Sequence, residues 1–170
     1  MAPLGVVCGG MWKWAVPPKG KKAPAWQVSV ERFNRGESIE KIAMTQEGGK
    51  VVVPTTVTKH LLTALLQGRR VDLGKLQAQS VTAPPSRRQW AQLAEAEAAI
   101  KLDVAESKEV TLTALLELFV PEAAVPFAER TEPQKQVLYK WFFLAEWYMT
   151  LRRAGVTPAF EGGAKRARAA

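Results

Sequence analysis

Apolar positions along this chain fall into short runs of helical period, each closed by glycine, proline or a capping side chain. Over residues 28–76 the pattern predicts a unit of three helices. The first carries Val30 and Phe33 and stops at Gly36, where glycine takes a left-handed exit without penalty. Ser38 then caps a second helix, with Glu40 in its first turn and Ile39, Ile42 and Ala43 on one side. Pro54 and Thr55 open a third, which runs to about Gln67 before Gly68. Three helices with a breaker between each predict a helix-turn-helix.

The second half predicts a helical subdomain over 86–155. Ser86 and Gln89 have capping-box spacing ahead of an alanine- and glutamate-rich helix running to about Ala105. Trp90, Leu93, Ile100 and Val104 form its apolar stripe, which Glu97 interrupts. A short helix from about Thr111 to before Pro121 buries Leu112, Leu115, Leu116 and Phe119. A long one starts at Thr131, tolerates Pro133 in its first turn and continues to Gly155. Six of the chain's fourteen aromatic residues lie between Tyr139 and Tyr148, and apolar positions surround that helix, so burial on several sides is expected. Residues 51–53 alone suggest an extended piece. The expected fold class is all-α.

Outside these units, residues 1–27 look like an extended arm, because Pro17, Pro18 and Pro24 disfavour helix there. The arm holds Trp12, Trp14 and Trp26 with Lys19, Lys21 and Lys22. Residues 156–170 form a basic tail expected to be flexible.

Charge changes the picture of what the units do. Residues 1–90 hold fourteen Lys/Arg against five Asp/Glu, residues 91–132 three against nine, and residues 133–170 seven against two. A basic front half beside an acidic middle suggests a polyanion-binding face next to a module with another task. The carboxylates Glu95, Glu97, Asp103, Glu106 and Glu109 look like a solvated helix face. One cysteine and one histidine exclude internal disulfides, cysteine-based zinc sites and His-rich clusters. Phosphate-loop, nucleophile-elbow and metalloprotease motifs are missing, so the sequence predicts a non-enzyme with no cofactor and no metal. The N-terminus lacks a secretory pattern and no apolar window is long enough to span a bilayer. An intracellular protein is expected, in a nucleus or a bacterial-type cytoplasm, and the PPKGKK and AKRAR pieces resemble nuclear-import signals.

Candidate contacts follow from the third helix. Val57, Leu61, Ala64 and Leu65 share one side and should face the other two helices. Thr55, Thr56, Thr58 and Lys59, in its first turns, suit phosphate and base edges in a groove. Lys50 in the preceding turn, Arg69 and Arg70 just past the helix, Arg32 and Arg35 on the first helix, and Lys19, Lys21 and Lys22 in the arm could flank a phosphate backbone. His60 lies between the buried and open faces. Leu62 and Leu66 fall on the open side, so the aromatic C-terminal helix is expected to cover that end.

The pieces Gly36-Glu-Ser-Ile-Glu-Lys-Ile-Ala43, Thr56-Val-Thr-Lys-His-Leu61 and Gly68-Arg-Arg-Val-Asp-Leu73 resemble the helix-turn-helix domain appended to the C-terminus of RecQ- and Werner-type DNA helicases. The first two also resemble LuxR-type response regulators and sigma-factor tails. The resemblance covers about 45 residues. It implies non-catalytic binding of nucleic acid, duplex DNA first and RNA as an alternative, or an accessory role beside a helicase. A different class of function fits as well: an assembly subunit that docks a protein through Leu62, Leu66 and the aromatic helix. One departure from the motif stands out. Twelve residues, 44–55, occupy a turn that such motifs keep tight.

Overall fold

A computed structural model describes residues 5–8, 15, 20 and 22–160. Lys19, Lys21, Trp12, Trp14 and residues 161–170 lie outside the described residues. The start of the expected tail is packed, with Val156 against the core and the Phe160 ring 6.2 Å from that of Trp90. Seven α-helices and one two-stranded ribbon make up the regular structure described, so the chain is α-helical as its pattern predicts.

α1 spans Ala25–Asn34 and follows an extended Pro24, and the chain leaves it at Gly36 with φ +106°. The arm therefore ends earlier than expected: Trp26 belongs to α1 and packs against the core. α2 spans Ile39–Met44, and its cap is the one foreseen, with the Ser38 hydroxyl accepting from the Lys41 N–H at 3.2 Å. The long turn folds as a 3-10 turn at Glu47–Gly49, with Gly48 and Gly49 both at positive φ. The Val52 N–H then donates to the Ala43 carbonyl at 3.0 Å, which returns the chain to the end of α2. α3 spans Pro54–Leu66 and ends at Gly68.

Residues 51–53 do not join a sheet. The strands are β1 (Val6–Cys8) and β2 (Arg70–Asp72), antiparallel with Val7 opposite Val71. Asp72 next caps α4 (Leu73–Gln79), an element the composition hid as linker, through the Lys75 N–H at 2.8 Å.

α5 spans Arg87–Ile100 and carries the reciprocal Ser86–Gln89 capping box. It stops five residues before the expected end, because Lys101 turns left-handed at φ 59°. α6 (Leu112–Glu117) is capped by Thr111, and α7 (Glu132–Arg153) follows two 3-10 turns, at Pro121–Ala124 and Phe127–Glu129.

Two apolar clusters form, and α7 belongs to both. Trp147, Leu151 and Ala154 complete the core of α1–α4, while Leu138, Ala145, Tyr148 and Met149 complete the core of α5 and α6. The burial on several sides expected of the aromatic helix is its position between two cores. The Trp147 indole N–H donates to the Thr82 carbonyl at 3.1 Å and so also holds the segment that joins the halves.

Candidate nucleic-acid interface

The third helix is in place, but it is not a free recognition helix. Of the thirteen residues of α3 only Lys59 is exposed. Val57, Leu61, Ala64 and Leu65 face inward as their spacing predicts, and Leu62 is buried too, sharing a core with Trp147 and Leu151 of α7. Leu66 is half-buried. The expected cover is therefore α7, and it reaches further toward the start of α3 than the sequence suggested.

Three predicted contacts are engaged within the fold. Lys59 lies 3.6 Å from Glu146 and 5.1 Å above the Phe143 ring, both on α7. Burial pushes the Glu146 carboxyl up and the lysine pulls it back down, with burial the larger influence. Thr58 is buried, and its hydroxyl is occupied by the Pro54 carbonyl at 3.4 Å and the Ser80 hydroxyl at 3.2 Å. Arg32 grips Glu37 with two N–H donors, at 3.1 and 2.7 Å, and the Thr45 carbonyl at 2.7 Å. It is a strut from α1 to the end of α2, and hydrogen bonding to it holds the Glu37 carboxyl below the usual range. Thr55 and Thr56 are half-buried, so neither projects freely.

The remaining predicted cations among the described residues stay in solvent. Lys50, Arg69 and Arg70 are exposed, and their side chains have no carboxylate partner among the described residues. Arg35 is exposed with Glu31 at 4.0 Å, and Lys22 is exposed with Glu47 at 3.9 Å. These are marginal pairs in open water.

Their placement follows from how α1 lies against α3. The Ser29 hydroxyl and His60 Nδ1 meet at 2.9 Å near the middle of both helices, and the Asn34 amide, at the end of α1, donates at 3.0 Å to the Arg70 carbonyl just past the end of α3. The helices thus run side by side in the same sense. Lys22 and Lys50 stand at the starting end, where a cavity of about 380 Å³ is lined by both lysines, Glu47, Thr56 and His60. Arg35, Arg69 and Arg70 stand at the other end. At 1.5 Å per residue, the length of α3 puts the two groups roughly 20 Å apart. Burial pushes the His60 imidazole down, which keeps it neutral at pH 7 and suits the hydrogen bond with Ser29.

One polar cluster was missed by sequence reasoning. Glu97 was assigned to a solvated face, yet it is only 8% exposed. Its carboxylate accepts from Arg152 Nε at 3.2 Å and Nη2 at 2.8 Å, from the Val104 N–H at 2.9 Å and from the Tyr148 hydroxyl. Asp103 takes a further Arg152 bond at 3.2 Å. Burial alone would raise the Glu97 carboxyl, but Arg152, Tyr148 and Val104 outweigh it and hold it below the ordinary value. The Tyr148 phenol is pushed up by burial and by the carboxylate beside it. The cluster ties α5 to α7 through Glu97, Tyr148 and Arg152. A signal existed in the sequence: Glu97 sits seven residues after Trp90 and four after Leu93, on the buried stripe, and a buried acid requires a cation.

Among the described residues no group of three His, Cys, Asp or Glu side chains is arranged to hold a metal ion, and no helix is long and apolar enough to cross a membrane. Compared with protein-family models, curated proteins and solved structures, the chain matches none.

Proposed function

We propose that this chain is a non-catalytic nucleic-acid-binding module, duplex DNA being its first ligand, that grips the phosphate backbone from the two ends of its α1–α3 pair and does not insert α3 into a groove. One observation carries the reading. Three of the exposed cations without carboxylate partners among the described residues, Lys50 on one side and Arg69 with Arg70 on the other, bracket a helix whose own length is covered. Phosphates recur every 3.4 Å or so along a strand, so a separation of roughly 20 Å spans several of them. Lys22 and Arg35 extend the two groups. A helix-turn-helix used in this way positions a duplex and reads few bases, which fits an accessory domain beside a helicase motor. The alternative of a protein-docking scaffold loses one of its anchors, because Leu62 is already buried within the chain.

Titration of a labelled duplex by fluorescence anisotropy over a range of salt tests this. Binding should weaken steeply with salt, and replacing Lys50, Arg69 and Arg70 with Ala should flatten the log–log slope by roughly 2.7, three contacts at about 0.9 each. Lys59→Ala should leave the slope unchanged, since that ammonium is already paired with Glu146. A wild-type chain that shows no binding at low salt, or a triple variant with an undiminished slope, would sink the proposal.

A further inference from the structure

α7 keeps one face open at its beginning. Gln136, Tyr139, Lys140 and Phe143 recur at i, i+3, i+4 and i+7 and therefore share that face. Tyr139 is 68% exposed and stands edge-on to Phe143, with ring centroids 5.4 Å apart. Phe127, in the turn before α7, is 72% exposed, and a groove of about 500 Å³ lies between it and Tyr139 with Leu138 and Phe142 in its lining. Each end of this aromatic strip has a cation over a ring. Lys135 Nζ lies 5.7 Å from the Phe127 centroid and Lys59 Nζ 5.1 Å from that of Phe143. Lys140 has no carboxylate partner among the described residues, while Glu132 and Glu146 are taken up by Lys135 and Lys59. Glu129 is the remaining nearby acid.

We propose that this strip is a stacking platform for an unpaired nucleic-acid strand, Phe127 and Tyr139 taking bases and Lys140 taking an intervening phosphate. The inference rests on the nucleic-acid reading above and adds to it a second face for a different form of the ligand. Two features favour a strand over a protein helix. The largest exposed apolar groups at the strip are the rings of Phe127 and Tyr139, with Val137 of the same helix as Tyr139 40% exposed. No leucine or methionine anchor of the kind that lines helix-binding grooves is exposed on α7. Lys140, next to Tyr139 and without a carboxylate partner among the described residues, is available to a phosphate, and a ring face accepts any base. Nothing on the strip distinguishes a ribose from a deoxyribose, so DNA and RNA strands should bind alike.

The test uses the full chain with labelled oligo(dT) and oligo(U) of roughly fifteen nucleotides, a length within the site sizes of known single-strand binders, and a duplex for comparison. Both exposed rings are removed in a Phe127→Ala, Tyr139→Ala double variant, with circular dichroism to show that helicity is kept. Single-strand affinity should fall roughly tenfold or more while duplex affinity is unchanged, and Tyr139→Trp should restore most of the loss. Equal single-strand binding by wild type and double variant overturns this inference and leaves the duplex reading standing. Absence of binding to duplex and single strand alike overturns both. Self-association of the wild type in gel filtration that the double variant abolishes, with strand binding intact, would make the strip a protein interface and overturn the inference.

Discussion

Glu97 offers the sharpest test of how the two halves are joined. Its carboxylate is the shared acceptor for a guanidinium, a phenol and a backbone N–H, from residues up to 55 positions away. Glu97→Ala removes that acceptor and leaves three donors behind. Breaking a buried ion pair on one side costs about 3–5 kcal/mol when the orphaned charge stays dry. Here the Arg152 side chain is 37% exposed and keeps Asp103 at 3.2 Å, so water and that second carboxylate recover part of the loss. The buried Tyr148 hydroxyl and the Val104 N–H recover less, at about 1–3 kcal/mol for each group left unsatisfied. A net loss of about 3 kcal/mol is expected, to be measured by urea unfolding followed by tryptophan fluorescence.

The same group gives the experiment a pH signature. The folded carboxyl lies below its ordinary value, so the unfolded chain binds its proton first as pH falls. The stability that Glu97 contributes is therefore fully present above the ordinary carboxyl pKa of about 4.3 and disappears as pH drops through the lower folded value. Glu97→Gln keeps the shape but not the charge. It should cost less at pH 7 than the alanine and should lack this part of the acid-side slope. A Glu97→Ala loss below about 0.5 kcal/mol, the range of ordinary surface changes, would refute the reasoning, as would an acid slope in Glu97→Gln identical to wild type.

Two further substitutions separate α7 from local effects. Trp147→Ala should cost about 3–5 kcal/mol in equilibrium unfolding, because the indole is wholly buried and also holds the Thr82 carbonyl. Its amide hydrogen exchange should quicken in α3 as well as in α7. Gly36→Ala should cost about 1–2 kcal/mol, since an added Cβ meets nothing within 4 Å and only the backbone at φ +106° is strained. A larger thermal-melt shift than that implies would point to a contact at Gly36 beyond backbone strain.

What was legible in the sequence was local. Ser38, Asp72, Ser86 and Thr111 each bond a backbone N–H three residues on, and such caps leave a mark at fixed spacing. Even so, the Asp72 cap was overlooked because α4 is short and its sequence is polar. Lys101 ended α5 early without a glycine to announce it. The site was harder to read, since Lys59 looks free on a helical wheel and only the fold places Glu146 and Phe143 beside it. Arg32 is a similar case: five residues separate it from Glu37, but the turn at Gly36 brings them together. β1 and β2 are three residues each, too short for alternation to show.

The covered α3 limits how this chain could distinguish sequences. To enter a major groove, α3 would have to shed α7, breaking the Lys59–Glu146 pair and exposing Leu62, Trp147 and Leu151. Uncovering a large apolar side chain costs about 1.5–3 kcal/mol, so three of them cost roughly 5–9 kcal/mol. That approaches the whole stability of an ordinary domain, about 5–15 kcal/mol. It also exceeds the roughly 1–3 kcal/mol that one good side chain–base pair returns. Groove insertion would therefore amount to unfolding the first core. On the proposed reading, any preference among duplexes would come from how a sequence positions its phosphates for Lys50, Arg69 and Arg70, which is recognition by shape and deformability. On the same reading, unpaired bases would meet the α7 strip, where stacking tolerates all four and so discriminates little.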